Sequence, residues 1–153
     1  MPKRSAGLLL YRRRTGLEVF LVHPGGPFWA KKDLGAWSIP KGEYADNEEP
    51  LAAAQREFAE ETGQAVSGAF LELGTVRQPS GKLVTAWAVE GEFDPASLVS
   101  NTCTIEWPPR SGKSLEIPEV DRGAWFPLDA AREKLIAGQR PFLDALHNQL
   151  ASS

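Results

Sequence analysis

Cysteine occurs once in this chain and histidine twice, and no apolar stretch runs far enough to cross a bilayer. Each scarcity excludes something. Cys103 has no second cysteine to pair with, so no internal disulfide frames the fold and a reducing compartment suits the chain. It lies in a strand-like run with no histidine nearby, which argues against a thiol nucleophile. His23 and His147 are far apart: the first reads as packing at a strand end, the second as exposed on the last helix. Behind the basic start Met1-Pro2-Lys3-Arg4, the run Ser5 to Tyr11 stops at Arg12-Arg13-Arg14. It is far below the roughly 18 apolar residues of a membrane span, and too short for a signal-peptide core with its cleavage site. The expectation is a buried strand in a soluble, cytoplasmic protein with no membrane partner.

An excess of basic charge is missing too. Seventeen Lys and Arg stand against 20 Asp and Glu, a formal net charge of −3. A grip on duplex phosphates favours a basic surface, so nucleic acid is not an expected partner. Arg12-Arg13-Arg14 and Lys31-Lys32 read equally well as solvated charges or as steering for an anionic substrate. There is no internal repeat and no low-complexity tract. What is present is ordinary globular usage, 42% hydrophobic and 24% charged over 153 residues. That is enough chain for one domain, 1–153, with a real core.

Strand-like runs at 5–11 and 17–23, joined through Arg13-Arg14-Thr15-Gly16, predict a β-hairpin. Pro24-Gly25-Gly26-Pro27 then breaks regular structure before a loop holding Trp29, Lys31 and Lys32. Trp37-Ser38-Ile39 reads as a short strand that stops at Pro40. From Asp46 the pattern turns helical. Asp46 or Asn47 suits the cap, Glu48 and Glu49 the positive end, and Pro50 the first turn. Leu51, Ala54 and Phe58 form an apolar stripe, and Gly63 supplies the stop. Further strands are expected at 69–76, 82–90 and 102–107, with 108–112 a mobile loop and 108–113 a candidate lid. A last strand at 124–126 and helices at 128–137 and 141–150 complete a mixed α/β sandwich.

The chemistry sits on the first helix. Glu57 lies three residues from Glu60 and four from Glu61, so all three carboxylates project from one face. Like charges at that spacing cost a few tenths of a kcal/mol per pair, and a divalent cation turns the repulsion into attraction. Carboxylate oxygens suit Mg²⁺, with Mn²⁺ as a possible substitute, and such a centre supports phosphoryl chemistry. A solvated acidic face, with Arg56 paired to Glu60, explains the helix alone equally well.

The flanking loop decides between them. From Gly42 the chain reads Gly, five residues, Glu48, seven residues, then Arg56-Glu57-Phe58-x-Glu60-Glu61-x-Gly63. This closely resembles the Nudix hydrolase signature, G-x5-E-x7-R-E-U-x-E-E-x-G-U, with U a bulky aliphatic residue. Two positions depart: Phe58 is aromatic, and Gln64 occupies the closing apolar site. The resemblance implies an α/β/α sandwich with a mixed sheet between helices, and Glu57, Glu60 and Glu61 as metal ligands. One of the Glu60-Glu61 pair would help to deprotonate water. It also implies a metal-directed carbonyl at Gly42, an orienting Arg56, and Glu48 as the acid paired with it. Glu119 matches an additional acidic residue near the metals, ahead of Glu116. Lys41, beside the loop glycine, is a candidate for a substrate phosphate. One of Trp29, Trp37, Trp87, Trp107 and Trp125 can stack on a base, although most Trp is packing.

The expected activity is Mg²⁺-dependent hydrolysis of a nucleoside diphosphate-linked small molecule. A nucleoside triphosphate or dinucleoside polyphosphate is favoured, and the enzyme is a monomer or homodimer. The alternative is a Nudix-fold nucleotide-binding or regulatory module without catalysis, although no carboxylate of the box is missing.

Overall fold

Strand β1, Arg4–Arg13, organises the sheet because its side chains alternate between two buried faces. In this computed structural model, which describes residues 3–151, Ala6, Leu8 and Leu10 face one core and Leu9 and Tyr11 the other. Met1 and Pro2 of the basic start lie outside the described residues. The predicted hairpin is present: β2, Leu17–Pro24, runs antiparallel to β1 with Tyr11 opposite Val19.

The remaining strands are β3, Lys41–Glu43; β4, Leu71–Arg77; β5, Leu83–Glu90; β6, Thr102–Glu106; β7, Ser114–Pro118; and β8, Val120–Pro127. A six-stranded mixed sheet runs in the order β4-β5-β1-β2-β8, with β3 also paired to β1, and β6 and β7 form a separate two-stranded sheet. One edge of β1 pairs in parallel with β5 over its length. The other edge is shared, with β3 pairing to residues 5–7 and β2 to residues 11–13. That sharing brings the Lys41-Gly42-Glu43 loop into the middle of the sheet.

Helix α1, Pro50–Thr62, covers one face through Ala53, Ala54 and Phe58. Helices α2, Leu128–Lys134, and α3, Pro141–Ala151, cover the other, where Ala131, Leu135, Phe142, Leu143 and Leu146 are buried. The result is the expected α/β/α sandwich. Among the described residues, no helix is long and apolar enough to cross a membrane.

Four local expectations need correction. The helix cap is Glu49, without a side-chain hydrogen bond, because Ala45 to Glu48 makes a turn of its own and Pro50 opens the helix. Segment 37–39 is not a strand. Ser38 exchanges both backbone hydrogen bonds with Val22, but the Ile39 N–H donates to the buried Gln139 side chain at 3.0 Å. The expected helix at 128–137 stops at Lys134, and a 3-10 turn follows at Ala137–Gln139. Finally, the expected mobile loop at 108–112 is the tip of a hairpin whose second strand, β7, went unpredicted. There the Glu106 carboxylate accepts the N–H groups of Arg110 and Gly112.

Candidate active site

Helix α1 presents its acidic face to the loop that begins at β3. Gly63, at φ 84°, closes the helix in the left-handed conformation that favours glycine. Along the helix Arg56 acts as a clamp. Its Nε and Nη2 donate to the two Glu48 oxygens at 2.8 and 3.0 Å, and its Nη1 donates to Glu57 at 2.9 Å and Glu60 at 3.2 Å. A guanidinium fork fits this bidentate pairing, and it fixes the directions of three carboxylates at once. The Glu48 hydrogen bonds, ahead of those from Glu57 and Glu60, raise the Arg56 pKa further above its ordinary value.

Glu57 and Glu61 are buried, each 8% exposed, whereas Glu60 is exposed and held against Arg56. Desolvation lifts the Glu57 pKa despite its hydrogen bond from Arg56. Glu61 is pushed up to about 8, chiefly by burial, with the Glu119 and Glu57 charges adding to it and Lys41 opposing. Lys41 moves the other way, its pKa lowered mainly by desolvation and then by Lys82. Glu119 sits between β7 and β8 with its backbone pinned at both ends. Its N–H donates to the Asn101 carbonyl and its own carbonyl accepts the Gly25 N–H, both at 3.0 Å.

Lys41, Glu61 and Glu119 therefore converge on one cavity of about 470 Å³, with Val22, Ile39 and Val120 beside them. Glu57 and Gly42 are not among the residues that line it. Gly42 is pressed against the Glu57 carboxylate, and Glu60 and Glu48 stay on the outer flank with Arg56. Of the five tryptophans, Trp29 alone lines the cavity. Trp37 is buried and donates to Asp33, and Trp125 donates to the Phe93 carbonyl. Glu116 is exposed on β7 and Cys103 lines the cavity wall.

His147 is exposed as expected. His23 is more than strand-end packing. It is fully buried, with Nδ1 3.0 Å from Asp121 Oδ1 and Nε2 2.6 Å from the Lys32 carbonyl. Sequence reasoning missed this post. It also missed Gln139, whose fully buried amide fixes the segment leading to Lys41. A polar residue in a short turn between helices carries no signal of burial.

The donor set fits a hard divalent cation. Glu57 and Glu61 offer buried, desolvated carboxylate oxygens, and the missing Gly42 side chain leaves room for Glu57 against the loop backbone. Among the described residues, no three His, Cys, Asp or Glu side chains form a ready-made cage.

Fold, acidic helix and cavity together define a Nudix-type architecture. The NUDIX domain family model matches residues 1–146, and the chain belongs to that family. It is 36% identical over 147 residues to an 8-oxo-(d)GTP phosphatase of Mycolicibacterium smegmatis. That match covers 86% of this chain but spans only 37% of the relative's length. Among solved structures it resembles a C. elegans Ap4A hydrolase binary complex, with a TM-score of 0.68, 21% identity, and 97% and 99% of the two chains covered. It also resembles the NUDIX domain of Shewanella oneidensis NrtR complexed with ADP ribose, with a TM-score of 0.67, 18% identity, and 98% and 89% covered. At those identities the structural likeness speaks for the fold alone.

Proposed function

We propose that this protein is a Mg²⁺-dependent hydrolase that adds water to one phosphorus of a nucleoside diphosphate-linked small molecule. The observation that carries the reading is the pairing of buried Glu61 with Glu119 and Lys41 at the floor of one cavity, beside buried Glu57. Glu57, Glu60, Glu61 and the Gly42 carbonyl would hold the cation, and Mn²⁺ can substitute. Bound there, the cation supplies charge neutralisation at phosphate and acidifies water.

The protein's own groups then have separate tasks. Lys41 places a positive charge toward the substrate phosphate. Arg56, held by Glu48, keeps Glu57 and Glu60 in fixed rotamers. Glu61 and Glu119 are the carboxylates at the cavity floor able to take the proton from attacking water. The water oxygen bonds to phosphorus, the bridging P–O bond breaks, and a nucleoside monophosphate leaves with a second phosphate species.

Nucleoside triphosphates and dinucleoside polyphosphates are the favoured substrates. The 8-oxo-(d)GTP named for the curated relative, and the Ap4A and ADP ribose named for the two structures, are all phosphoanhydride-containing nucleotides. The test is product release from a panel of these compounds with Mg²⁺, then with EDTA, then with Mg²⁺ restored. Hydrolysis that disappears and returns supports the reading. Tight nucleotide binding without turnover of any compound would replace it with a binding module.

A further inference from the structure

We infer that the outer part of the cavity is a stacking slot that holds a nucleotide by the face of its base, so that turnover discriminates little among bases. The inference rests on the hydrolase reading above and names the part of the substrate that this chain does not read.

Two elements remote in sequence build the slot. The first is the loop after β2. There Phe28 and Trp29 meet edge to face with ring centroids 5.0 Å apart, and the Lys32 ammonium lies 3.9 Å from the Phe28 ring centroid. The second is the β6-β7 hairpin, which contributes Ile105 and Ile117. Two glycines let the elements meet. A Cβ on Gly26 would lie 2.6 Å from the Ile117 side chain, and one on Gly25 would lie 2.0 Å from the Pro118 carbonyl oxygen. Gly26, at φ 91°, also adopts the left-handed backbone. The contact is thus built for close approach, and it joins the slot directly to the floor carrying Glu119.

Phe28 is the informative residue. It is 54% exposed, yet it lines a concave site together with half-buried Trp29. An exposed aromatic at the mouth of a cavity whose floor is charged matches a ligand with a flat apolar end and an anionic end. A nucleotide has both. The cavity volume, about 470 Å³, also lies in the range of small-molecule sites.

The polar inventory sets the selectivity. The charged side chains lining the cavity, Lys41, Glu61 and Glu119, belong to the phosphate end, and the Lys32 ammonium beside the slot is held over the Phe28 and Trp29 rings. Among the described residues, no Asn, Gln, Asp or Arg side chain lines it. Ser38 does, but its hydroxyl already donates to the Ile39 carbonyl at 2.7 Å and accepts from Gln139 at 3.2 Å. Strong rejection of a wrong base requires buried polar groups that the wrong base leaves unpaired. Apolar and aromatic walls instead give stacking, which tolerates every base because each has a π-face.

The experiment is steady-state hydrolysis of ATP, GTP, CTP, UTP and 8-oxo-dGTP with Mg²⁺, by wild type, Phe28→Ala and Phe28→Trp. Values of kcat/KM within about tenfold across the five are expected, the low end of the roughly 10–200-fold that apolar contacts discriminate. Phe28→Ala is expected to raise KM at least threefold for every base with kcat little changed, the signature of uniform binding. Phe28→Trp is expected to stay near wild type. A preference beyond tenfold for any one base overturns the inference, as does a Phe28→Ala KM that is unchanged or altered for one base alone. If none of the five is hydrolysed, the hydrolase reading is decided separately by the Ap4A and ADP ribose arms of the wider panel. Equilibrium binding of the α,β-methylene analogues of ATP, GTP, CTP and UTP then decides the slot by the same two criteria.

Discussion

Gly42 lies so close to Glu57 that a Cβ built on the glycine would sit 2.0 Å from the Glu57 carboxyl carbon. No side chain fits there unless the carboxylate moves. Gly42→Ala is therefore expected to cut turnover at least about a hundredfold, because a misplacement of about 1 Å can cost that much. The fold should survive, and a thermal melt will show it. Gly16→Ala is the control, since nothing lies within 4 Å of a Cβ there. Equal activity in the two variants would contradict the placement of Glu57.

Arg56 gives a second prediction. Lysine keeps the charge but cannot reach both Glu48 oxygens and Glu57 at once. Arg56→Lys should lower kcat by tenfold or more, whereas stability should fall by no more than about 1 kcal/mol because the clamp is partly exposed. Glu48→Gln should lose less activity than Arg56→Lys. Kinetics and denaturant titration on both variants check the order.

A third prediction concerns pH. The folded-state pKa of Glu61 is raised to about 8 from an ordinary value of 4.5, and that of Glu57 is raised as well. Between those limits the folded state binds more protons than the unfolded state, so stability falls as pH rises. The contribution is fully present below about pH 4.5 and lost by about pH 8. Without added metal, the Tm of wild type should fall across pH 5–8 more steeply than that of Glu61→Gln. Mg²⁺ should raise the wild-type Tm more at pH 8 than at pH 5.5, since a ligand carboxylate must lose its proton to bind. Parallel profiles for the two proteins would contradict this.

His23 offers a test away from the chemistry. Leucine in its place leaves the Lys32 carbonyl and Asp121 without their ring-nitrogen partner. His23→Leu should lower stability by about 1–3 kcal/mol, the cost of orphaning a buried polar group. A chemical denaturation curve unchanged from wild type would show that the post carries nothing.

The acidic helix was legible, its cap apart, because its apolar stripe and Gly stop agree and because the box fixes seven positions within 22 residues. The central hairpin was legible for a similar reason, with two apolar runs around a polar turn. Strand β3 was not. Three residues, Lys41-Gly42-Glu43, show no apolar alternation, and only their pairing with β1 makes them a strand. Strand β7 did carry a signal, Leu115 and Ile117 in alternation, but the Pro-Pro and Ser-Gly content before it masked the hairpin. Phe28, Ile105 and Ile117 share a cavity only through the meeting of Gly25-Gly26 with the end of β7, a relation no local pattern records. Glu119 was named from the resemblance, but its distance from the box becomes meaningful only when Asn101 and Gly25 pin its backbone.

The most direct test of the account is Mg²⁺-dependent hydrolysis of the best nucleotide substrate by Glu61→Gln, beside wild type, at saturating Mg²⁺. The side chain keeps its size and loses its charge and its basicity. The expected result is a folded protein whose kcat is lower by about a hundredfold or more, the scale of a lost catalytic contact worth a few kcal/mol. A folded Glu61→Gln that turns over within threefold of wild type would contradict the account, because the buried carboxylate at the cavity floor would then have no part in the reaction.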